Sequence, residues 1–272
     1  MEKIDRLGWA AGMALTAYGV RIGIRTNQPD VLNQLVDRFP PGWKPTSMAV
    51  ERLYSLKVGG AGRTNIRQFN LLYGNIERLA RTMDLNQVLD VLESHIKLYV
   101  AASTRRRVFV HAGAVGWAGR AIILPGLTMS GKSTLVAELV RAGATYYSDE
   151  YAVLDKRGRV HPYPRPLAIR DTNTARQTKY PVESLGGRAG RKPLPVGLVV
   201  VSQYKRGAHW RPRRLSAGQG LLALLSHTVS ARHRPRVALP TLREVVGDAP
   251  VLEGVRGEAK EMVQLLFRAL ED

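Results

Sequence analysis

The feature that most constrains this chain is a short glycine-rich stretch between a predicted strand and a predicted helix. Residues 126–133 read GLTMSGKS and fit the pattern G-x-x-x-x-G-K-[ST] of phosphate-binding loops. An apolar run, Ala121–Leu124, leads into the stretch, and a helical segment, Leu135–Val140, follows it. Strand, loop and helix in this order surround an anion with backbone amides and the positive end of a helix. The sequence therefore predicts a nucleotide site.

The residue types in the loop suit that chemistry. Gly126 and Gly131 let the backbone approach a phosphate without a side-chain clash. Lys132 can reach the β- and γ-phosphates, Ser133 can bind Mg²⁺, and Thr134 can donate to a phosphate oxygen. The predicted nucleotide-binding residues are Gly126, Leu127, Thr128, Met129, Ser130, Gly131, Lys132, Ser133 and Thr134.

Two adjacent acids, Asp149 and Glu150, follow one helix and one short strand after the loop. In many ATPases an Asp-Glu pair comes much later, after a strand of four apolar residues. Here the preceding residues are Thr145–Ser148, and Asp149 lies only 23 positions after Gly126. The next strand after the loop helix therefore returns the two carboxylates to the bound phosphates.

The segment Val108–Ile169 resembles the kinase domain of HPr kinase/phosphorylase and its relatives, a fold shared with phosphoenolpyruvate carboxykinases. The match rests on His111 within Val110–Ala112, on the loop, and on Ser148–Tyr151 with its two acids. His111 precedes Gly126 by 15 positions, as in that family. In general appearance the chain is similar to stand-alone HPr-kinase-like proteins of bacterial peptide-modification clusters, including kinases that phosphorylate lasso-peptide precursors on serine.

The resemblance implies a role for each matching residue. Asp149 would accept the proton of the acceptor hydroxyl, and His111 would line the site near the transferred phosphate. Glu150 would help to hold Mg²⁺, together with Asp149 and Ser133. The implied catalytic residues are Asp149, His111, Lys132 and Arg170, and the implied cofactors are ATP and Mg²⁺.

One departure from the family concerns the segment around Arg170. The family's signature has a Glu two residues before the Arg and a Gly after it, whereas this chain has Ala168 and Asp171. The difference weakens the case for a second metal site and for the reverse, phosphorolytic reaction.

Two domains are predicted. Residues 1–104 read as a small α+β domain, with a strand at Leu15–Arg25 and a helix that Asp84 caps and that ends near Ser103. Residues 105–272 read as an α/β domain, which the resemblance makes a P-loop kinase domain of the HPr kinase/phosphoenolpyruvate carboxykinase type. Residues 171–195 show no strong periodicity, so we expect a long lid or binding loop there.

The net charge of the chain indicates what kind of partner it binds. The formal net charge is +19, and residues 155–243 hold 19 Lys and Arg residues against three Asp and Glu. We therefore expect an anionic partner: an acidic protein or peptide acceptor, or, as a less favoured alternative, a nucleic acid. No apolar run is long enough for a membrane span, so we expect no membrane partner and a cytoplasmic location. Self-association into a homo-oligomer stays open.

These observations predict an ATP- and Mg²⁺-dependent kinase that transfers the γ-phosphoryl group to a hydroxyl, in the first place a serine of a protein or peptide. The alternatives are a nucleic-acid-associated P-loop ATPase, a small-molecule enzyme of the carboxykinase type, and a nucleotide-binding regulator without catalysis. The chain has no cysteine, which excludes disulfides, thiolate metal sites and a cysteine nucleophile.

Overall fold

A computed structural model describes residues 3–47, 49–60, 69–126, 130–170 and 177–271. The chain divides into two compact units, residues 1–104 and 105–272. Both units combine helices with a sheet of parallel and antiparallel strands, so this is a mixed α/β protein. None of the helices within the described ranges is long and apolar enough to cross a membrane.

The first unit is a six-stranded sheet and a long helix, as far as its residues are described. Its elements are β1 (Ala11–Ala17), β2 (Val20–Thr26), α1 (Asp30–Leu35), β3 (Lys44–Pro45), β4 (Arg52–Lys57), β5 (Asn70–Gly74), β6 (Glu77–Thr82) and α2 (Leu85–Ser103). The sheet order is β3-β1-β2-β4-β5-β6. As predicted, Asp84 caps α2: its carboxylate accepts from the amides of Asn86 and Gln87. The apolar stripe of α2 is buried.

The single strand predicted for Leu15–Arg25 is wrong. The segment contains the facing halves of β1 and β2, which pair antiparallel across a tight turn at Tyr18 and Gly19. Both turn residues have left-handed backbone angles, with φ of 51° and 80°. Such a turn matches the twist of a hairpin and usually shows as Asn-Gly or Asp-Gly. Tyrosine at the first position concealed it in the sequence.

The second unit is built around an eight-stranded sheet within the ranges given above. Its elements are β7 (Val108–Trp117), β8 (Arg120–Pro125), α3 (Lys132–Arg141), β9 (Thr145–Ser148), β10 (Tyr151–Leu154), β11 (Val160–His161), β12 (Leu167–Arg170), β13 (Gln177–Tyr180), β14 (Val196–Tyr204), β15 (Arg213–Arg214), α4 (Ala217–Ser226), α5 (Pro235–Asp248), β16 (Val251–Arg256) and α6 (Ala259–Glu271). The main path runs β11-β10-β7-β8-β14-β16-β15, and β9 also pairs with β7. Strands β12 and β13 form a separate hairpin.

Helices cover both faces of this sheet. On one face α3 and α6 pack through side chains such as Leu139 and Leu266, and on the other α5 packs through Leu242. Along β8, Ile122 belongs to the first core and Ile123 to the second. A strand buried on both faces reads as a continuous apolar run, and this is the pattern from which β8 was predicted.

Three neighbouring strands, β8, β14 and β16, run parallel. Their carboxyl ends therefore meet at one edge of the sheet. Chain reversals at that edge connect β8 to α3 and β16 to α6. In open α/β sheets, ligands bind outside the carboxyl ends of the strands, so this edge is where the candidate site is expected.

The long loop predicted over residues 171–195 is wrong for its second part. Residues 171–176 lie outside the described part of the chain, but residues 177–195 contain β13 and a 3₁₀ turn at Val182–Leu185. The amide of Gly190 donates to the carbonyl of Tyr146, and that of Leu194 donates to Val160. These partners are distant in sequence, so the order they impose leaves no periodicity within the segment itself.

Candidate functional site

The loop after β8 is held at both described ends. The amide of Gly126 donates to the carbonyl of His111 over 3.2 Å, which fixes the start of the loop to β7. Gly131 is the residue before α3 and has a φ of 80°. A Cβ atom on Gly131 would lie 2.5 Å from Arg256 Nη2, so both backbone angle and space require glycine. Three predicted phosphate ligands lie outside the described residues: Leu127, Thr128 and Met129.

The remaining predicted phosphate ligands lie at the start of α3. Lys132, Ser133 and Thr134 form its first turn, where the amides have no partner within the helix. Burial lowers the pKa of Lys132, and the negative charge of Asp149 counteracts this. The Ser130 hydroxyl is buried and has no hydrogen-bond partner among the described residues. An unbonded buried donor beside a helix N-terminus fits a phosphate oxygen.

Asp149 lies directly after β9 and is bound from three sides. Its Oδ2 accepts from the Ser133 hydroxyl over 3.0 Å and from the amide of Ala168 over 3.1 Å. The Tyr146 hydroxyl lies 2.9 Å from Asp149 Oδ1 and 2.9 Å from the carbonyl of Arg165, and it donates to one of them at a time. The loop helix, β9 and β12 therefore converge on one carboxylate.

The Asp149 carboxyl is 8% exposed. Burial raises its pKa above the ordinary value, although the hydrogen bonds from Ala168, Tyr146 and Ser133 act in the opposite direction. The charge of the neighbouring Glu150 adds to the increase. A carboxylate with a raised pKa is a stronger base than an exposed one, which suits a proton acceptor.

Glu150 follows Asp149 in the turn after β9, and His111 pairs with Tyr151 between β7 and β10. The carbonyl of Glu150 accepts from the amide of Ala112 in β7, beside His111. The His111 ring contacts the Tyr151 ring at a centroid distance of 4.7 Å. His111 thus lies within β7, where its carbonyl holds Gly126 at the start of the loop, and Glu150 lies in the turn between β9 and β10.

Arg170, a predicted catalytic residue, is described through its backbone. It ends β12 opposite Gln177, and its side chain lies outside the described residues. The hairpin that carries it nevertheless reaches the site, because the amide of Ala168 donates to Asp149. Ala168 thus reaches Asp149 through its backbone amide rather than through its side chain.

His227 is a site residue that the sequence did not reveal. Its carbonyl accepts from the amide of His111 over 2.7 Å, at the end of α4. Burial lowers the pKa of His227, and the positive charge of Lys132 adds to this effect. Its Nδ1 is buried without a hydrogen-bond partner in the described part of the chain. A lone histidine at a helix end gave no sequence signal of its own.

Tyr146 and Arg256 were also missed. Tyr146 belongs to a short strand of ordinary composition, and only the turn after β9 brings its hydroxyl to Asp149. Arg256 is 2% exposed and donates from Nη2 to the carbonyl of Gly131 over 2.9 Å. Arginine is almost never so buried without a specific reason. The one available signal was a basic residue at the end of an apolar strand.

The oxygen atoms of Ser133 and Asp149 suit a hard cation that also binds a phosphate. Ser133 Oγ and Asp149 Oδ2 are two oxygens 3.0 Å apart, and Mg²⁺ prefers oxygen ligands and commonly takes others from phosphate and water. No group of three or more His, Asp or Glu side chains in the described ranges forms a metal cage by itself. The fit is therefore to a cation shared with a bound phosphate group rather than to an all-protein centre.

Compared with known proteins, the chain matches no family model and no curated sequence.

Proposed function

We propose that this protein is an ATP- and Mg²⁺-dependent phosphotransferase that acts on a hydroxyl, in the first place a serine of a protein or peptide. In this proposal residues 105–272 form a P-loop kinase domain of the HPr kinase type. The observation that carries the proposal is the contact between Ser133, in the first turn of the loop helix, and the buried carboxylate of Asp149. It joins a phosphate-binding element to a candidate base.

The residues support a division of labour around a triphosphate. Gly126, Gly131 and the first-turn amides of α3 would surround the phosphate chain, and Lys132 would neutralise its outer oxygens. Ser133 and Asp149 would hold Mg²⁺, which supplies positive charge to the phosphate oxygens when it is bound. Fixed charges of this kind act strongly because the site is partly removed from water.

Asp149 would also serve the acceptor. The acceptor oxygen forms a bond to the γ-phosphorus while the bond from that phosphorus to the bridging oxygen breaks, and ADP leaves. The proton of the acceptor hydroxyl would pass to Asp149, the buried carboxylate beside the loop helix. His111, which holds Gly126, and His227, which is near enough to Lys132 to feel its charge, would bind or orient the transferred group.

The charge distribution supports an acidic acceptor. Exposed basic side chains cluster in the second unit, including Lys179, Lys205, Arg206 and Arg211. They would attract acidic residues that flank the target serine. Consumption of ATP fits the expected cytoplasmic location. Nucleotide phosphates and an acidic peptide account for part of the net charge of +19 without any nucleic acid.

A transfer assay with γ-labelled ATP tests the proposal. The acceptors are serine peptides with acidic flanks, the same peptides with alanine in place of serine, and duplex DNA and RNA as alternative activators. We expect label on the serine peptides, loss of transfer in Lys132→Ala, and full transfer in Lys156→Ala, an exposed lysine in the turn before β11. ATP hydrolysis stimulated only by nucleic acid would overturn the proposal.

A further inference from the structure

A tyrosine and an arginine lie together on the far side of the phosphate loop from Asp149. Tyr204 ends β14, which is next to β8, and Arg256 ends β16, the next strand along; the two residues are paired in the sheet. The Arg256 guanidinium lies over the Tyr204 ring at 5.3 Å from its centroid. A Cβ built on Gly131 would be 3.8 Å from Tyr204 Cβ, so the pair adjoins the loop directly.

Arg256 is placed unusually for a charged residue. It is 2% exposed, and it donates to the carbonyls of Gly131 and Gly257 over 2.9 and 3.0 Å. Its Nε has no hydrogen-bond partner among the described residues. Burial of a charged group is costly, so a residue in this state is expected to serve a site. Here Arg256 fixes the backbone of the loop at Gly131 and covers one face of the Tyr204 ring.

Tyr204 differs from its neighbour in being open to solvent, with 43% of its surface exposed. Its hydroxyl donates to Glu258 Oε1 over 2.9 Å, so the ring is held at both its edge and one face. A rigid, exposed aromatic ring beside a nucleotide-binding loop offers a flat apolar surface for a base.

The sheet order gives the direction of the nucleotide. Asp149 and β9 lie on the β7 side of β8, whereas Tyr204 and Arg256 lie on the β14 and β16 side. If transfer occurs at Asp149, the γ-phosphate lies on the first side. The phosphate chain then crosses the loop, and the nucleoside leaves it on the side of Tyr204.

We propose that Tyr204, supported by Arg256, forms the nucleoside subsite of this protein, on which the purine base of ATP stacks. The inference rests on the proposed nucleotide site and adds the residue that distinguishes a nucleotide from a bare polyphosphate. Stacking on an aromatic ring recognises the face of the base, so the contribution of Tyr204 is confined to ligands that carry one.

Calorimetric titration with ATP and with inorganic tripolyphosphate tests this. We expect Tyr204→Ala to weaken ATP binding by roughly tenfold and to leave tripolyphosphate binding within about twofold of wild type. Tyr204→Phe keeps the ring and is expected to bind both ligands like wild type. Tyr180→Ala removes a comparably exposed tyrosine in β13 and is expected to change neither.

The outcomes separate the two proposals. Lys132→Ala is expected to weaken both ligands, because the lysine serves the phosphates. If Lys132→Ala does so while Tyr204→Ala binds ATP like wild type, the nucleoside subsite is overturned and the phosphate loop stands. Equal weakening of both ligands in Tyr204→Ala would mean that the ring only supports the loop, which also overturns the subsite. If the wild-type protein binds neither ligand, the proposed function fails and the subsite with it.

Discussion

The hydroxyl of Ser133 donates to Asp149 Oδ2 over 3.0 Å and so joins the first turn of α3 to the end of β9. The two residues are 16 positions apart, with a helix and a strand between them. The hydrogen bond from Ser133 lowers the pKa of the Asp149 carboxyl, and the carboxylate orients the Ser133 hydroxyl. A substitution at either residue should therefore also change the properties of the other.

Ser133→Ala tests this coupling. Without the hydroxyl, Asp149 loses one hydrogen bond that opposes the burial effect, so its pKa should rise further. We expect the acidic limb of the pH–rate profile to move to higher pH and the transfer rate to fall by roughly tenfold or more. Ser133→Thr keeps the hydroxyl and serves as control. An unchanged acidic limb in Ser133→Ala would show that Asp149 does not set it.

Asp149→Asn should abolish most phosphotransfer, by roughly two orders of magnitude or more, because the amide cannot accept the proton. The matched control is Asp248→Asn, which removes an exposed acid at the end of α5. Rates measured with labelled ATP at saturating acceptor decide the matter. Asp149 would lose its role as base if Asp149→Asn transferred phosphate at the wild-type rate.

Asp149 should also shape the pH dependence of stability. Its pKa is raised in the folded state, so its contribution favours folding at low pH and is lost as pH rises from about 4, the ordinary value, through the raised value. Because Asp149→Asn has no carboxyl group to ionise, the variant does not lose this stability as pH rises. We expect its free energy of unfolding, relative to wild type, to improve as pH rises above about 4 in denaturant titrations. Parallel curves for the two proteins would contradict the raised pKa.

Asp155, in the hairpin between β10 and β11, has a lowered pKa, so the pH dependence of its contribution to stability is opposite in sign to that of Asp149. Burial raises the pKa of Asp155, but hydrogen bonds from His161, Arg159 and the amide of Arg157 more than offset it and lower the pKa to about 2. Its stabilisation is present above about pH 4 and is lost as pH falls towards 2.

Asp155→Asn should therefore cost about 1 kcal/mol at neutral pH, a figure reduced for solvent around the half-exposed Arg159, and clearly less near pH 2, where Asp155 is about half protonated. Denaturant titrations across that interval measure it, with Asp248→Asn as the exposed control. A cost that persists unchanged at pH 2 would point to lost packing rather than lost charge.

Gly131→Ala should disable the loop. The substitution places a side chain at φ of 80° and 2.5 Å from Arg256 Nη2. Gly119→Ala, in the turn between β7 and β8, has φ of 76° and nothing within 4 Å, so it carries the backbone strain alone. We expect Gly119→Ala to lose about 1 kcal/mol of stability and Gly131→Ala to lose more, because of the overlap with Arg256, and only Gly131→Ala to lose tripolyphosphate binding. Equal binding by the two variants would separate Gly131 from the site.

Local signals in the sequence located much of the second unit. The predicted helical segment Leu135–Val140 lies within α3, because glycine, an apolar stripe and a flanking strand all mark that helix. The capping box of Ser216 and Gln219 at the start of α4 is a signal of the same local kind. These features depend on neighbours a few residues apart, which a sequence displays directly.

Features that depend on residues distant in the sequence were not predicted. The order of residues 177–195 comes from hydrogen bonds to Tyr146 and Val160, and the hairpin at Tyr18 comes from pairing that its residue types do not suggest. Both errors have the same origin, since long-range contacts can impose an ordered conformation on a segment without local periodicity.

By itself, then, the sequence determined the glycine-rich loop, its helix and the two acids that follow, because spacing along the chain fixes how soon the next strand can return. Only the tertiary structure decided what surrounds them. The parallel alignment of β8, β14 and β16 brings Tyr204 and Arg256 to Gly131, and the turn after β9 brings Tyr146 to Asp149. Sheet order sets these contacts, and nothing in the local composition of any one strand specifies which strand will lie beside it.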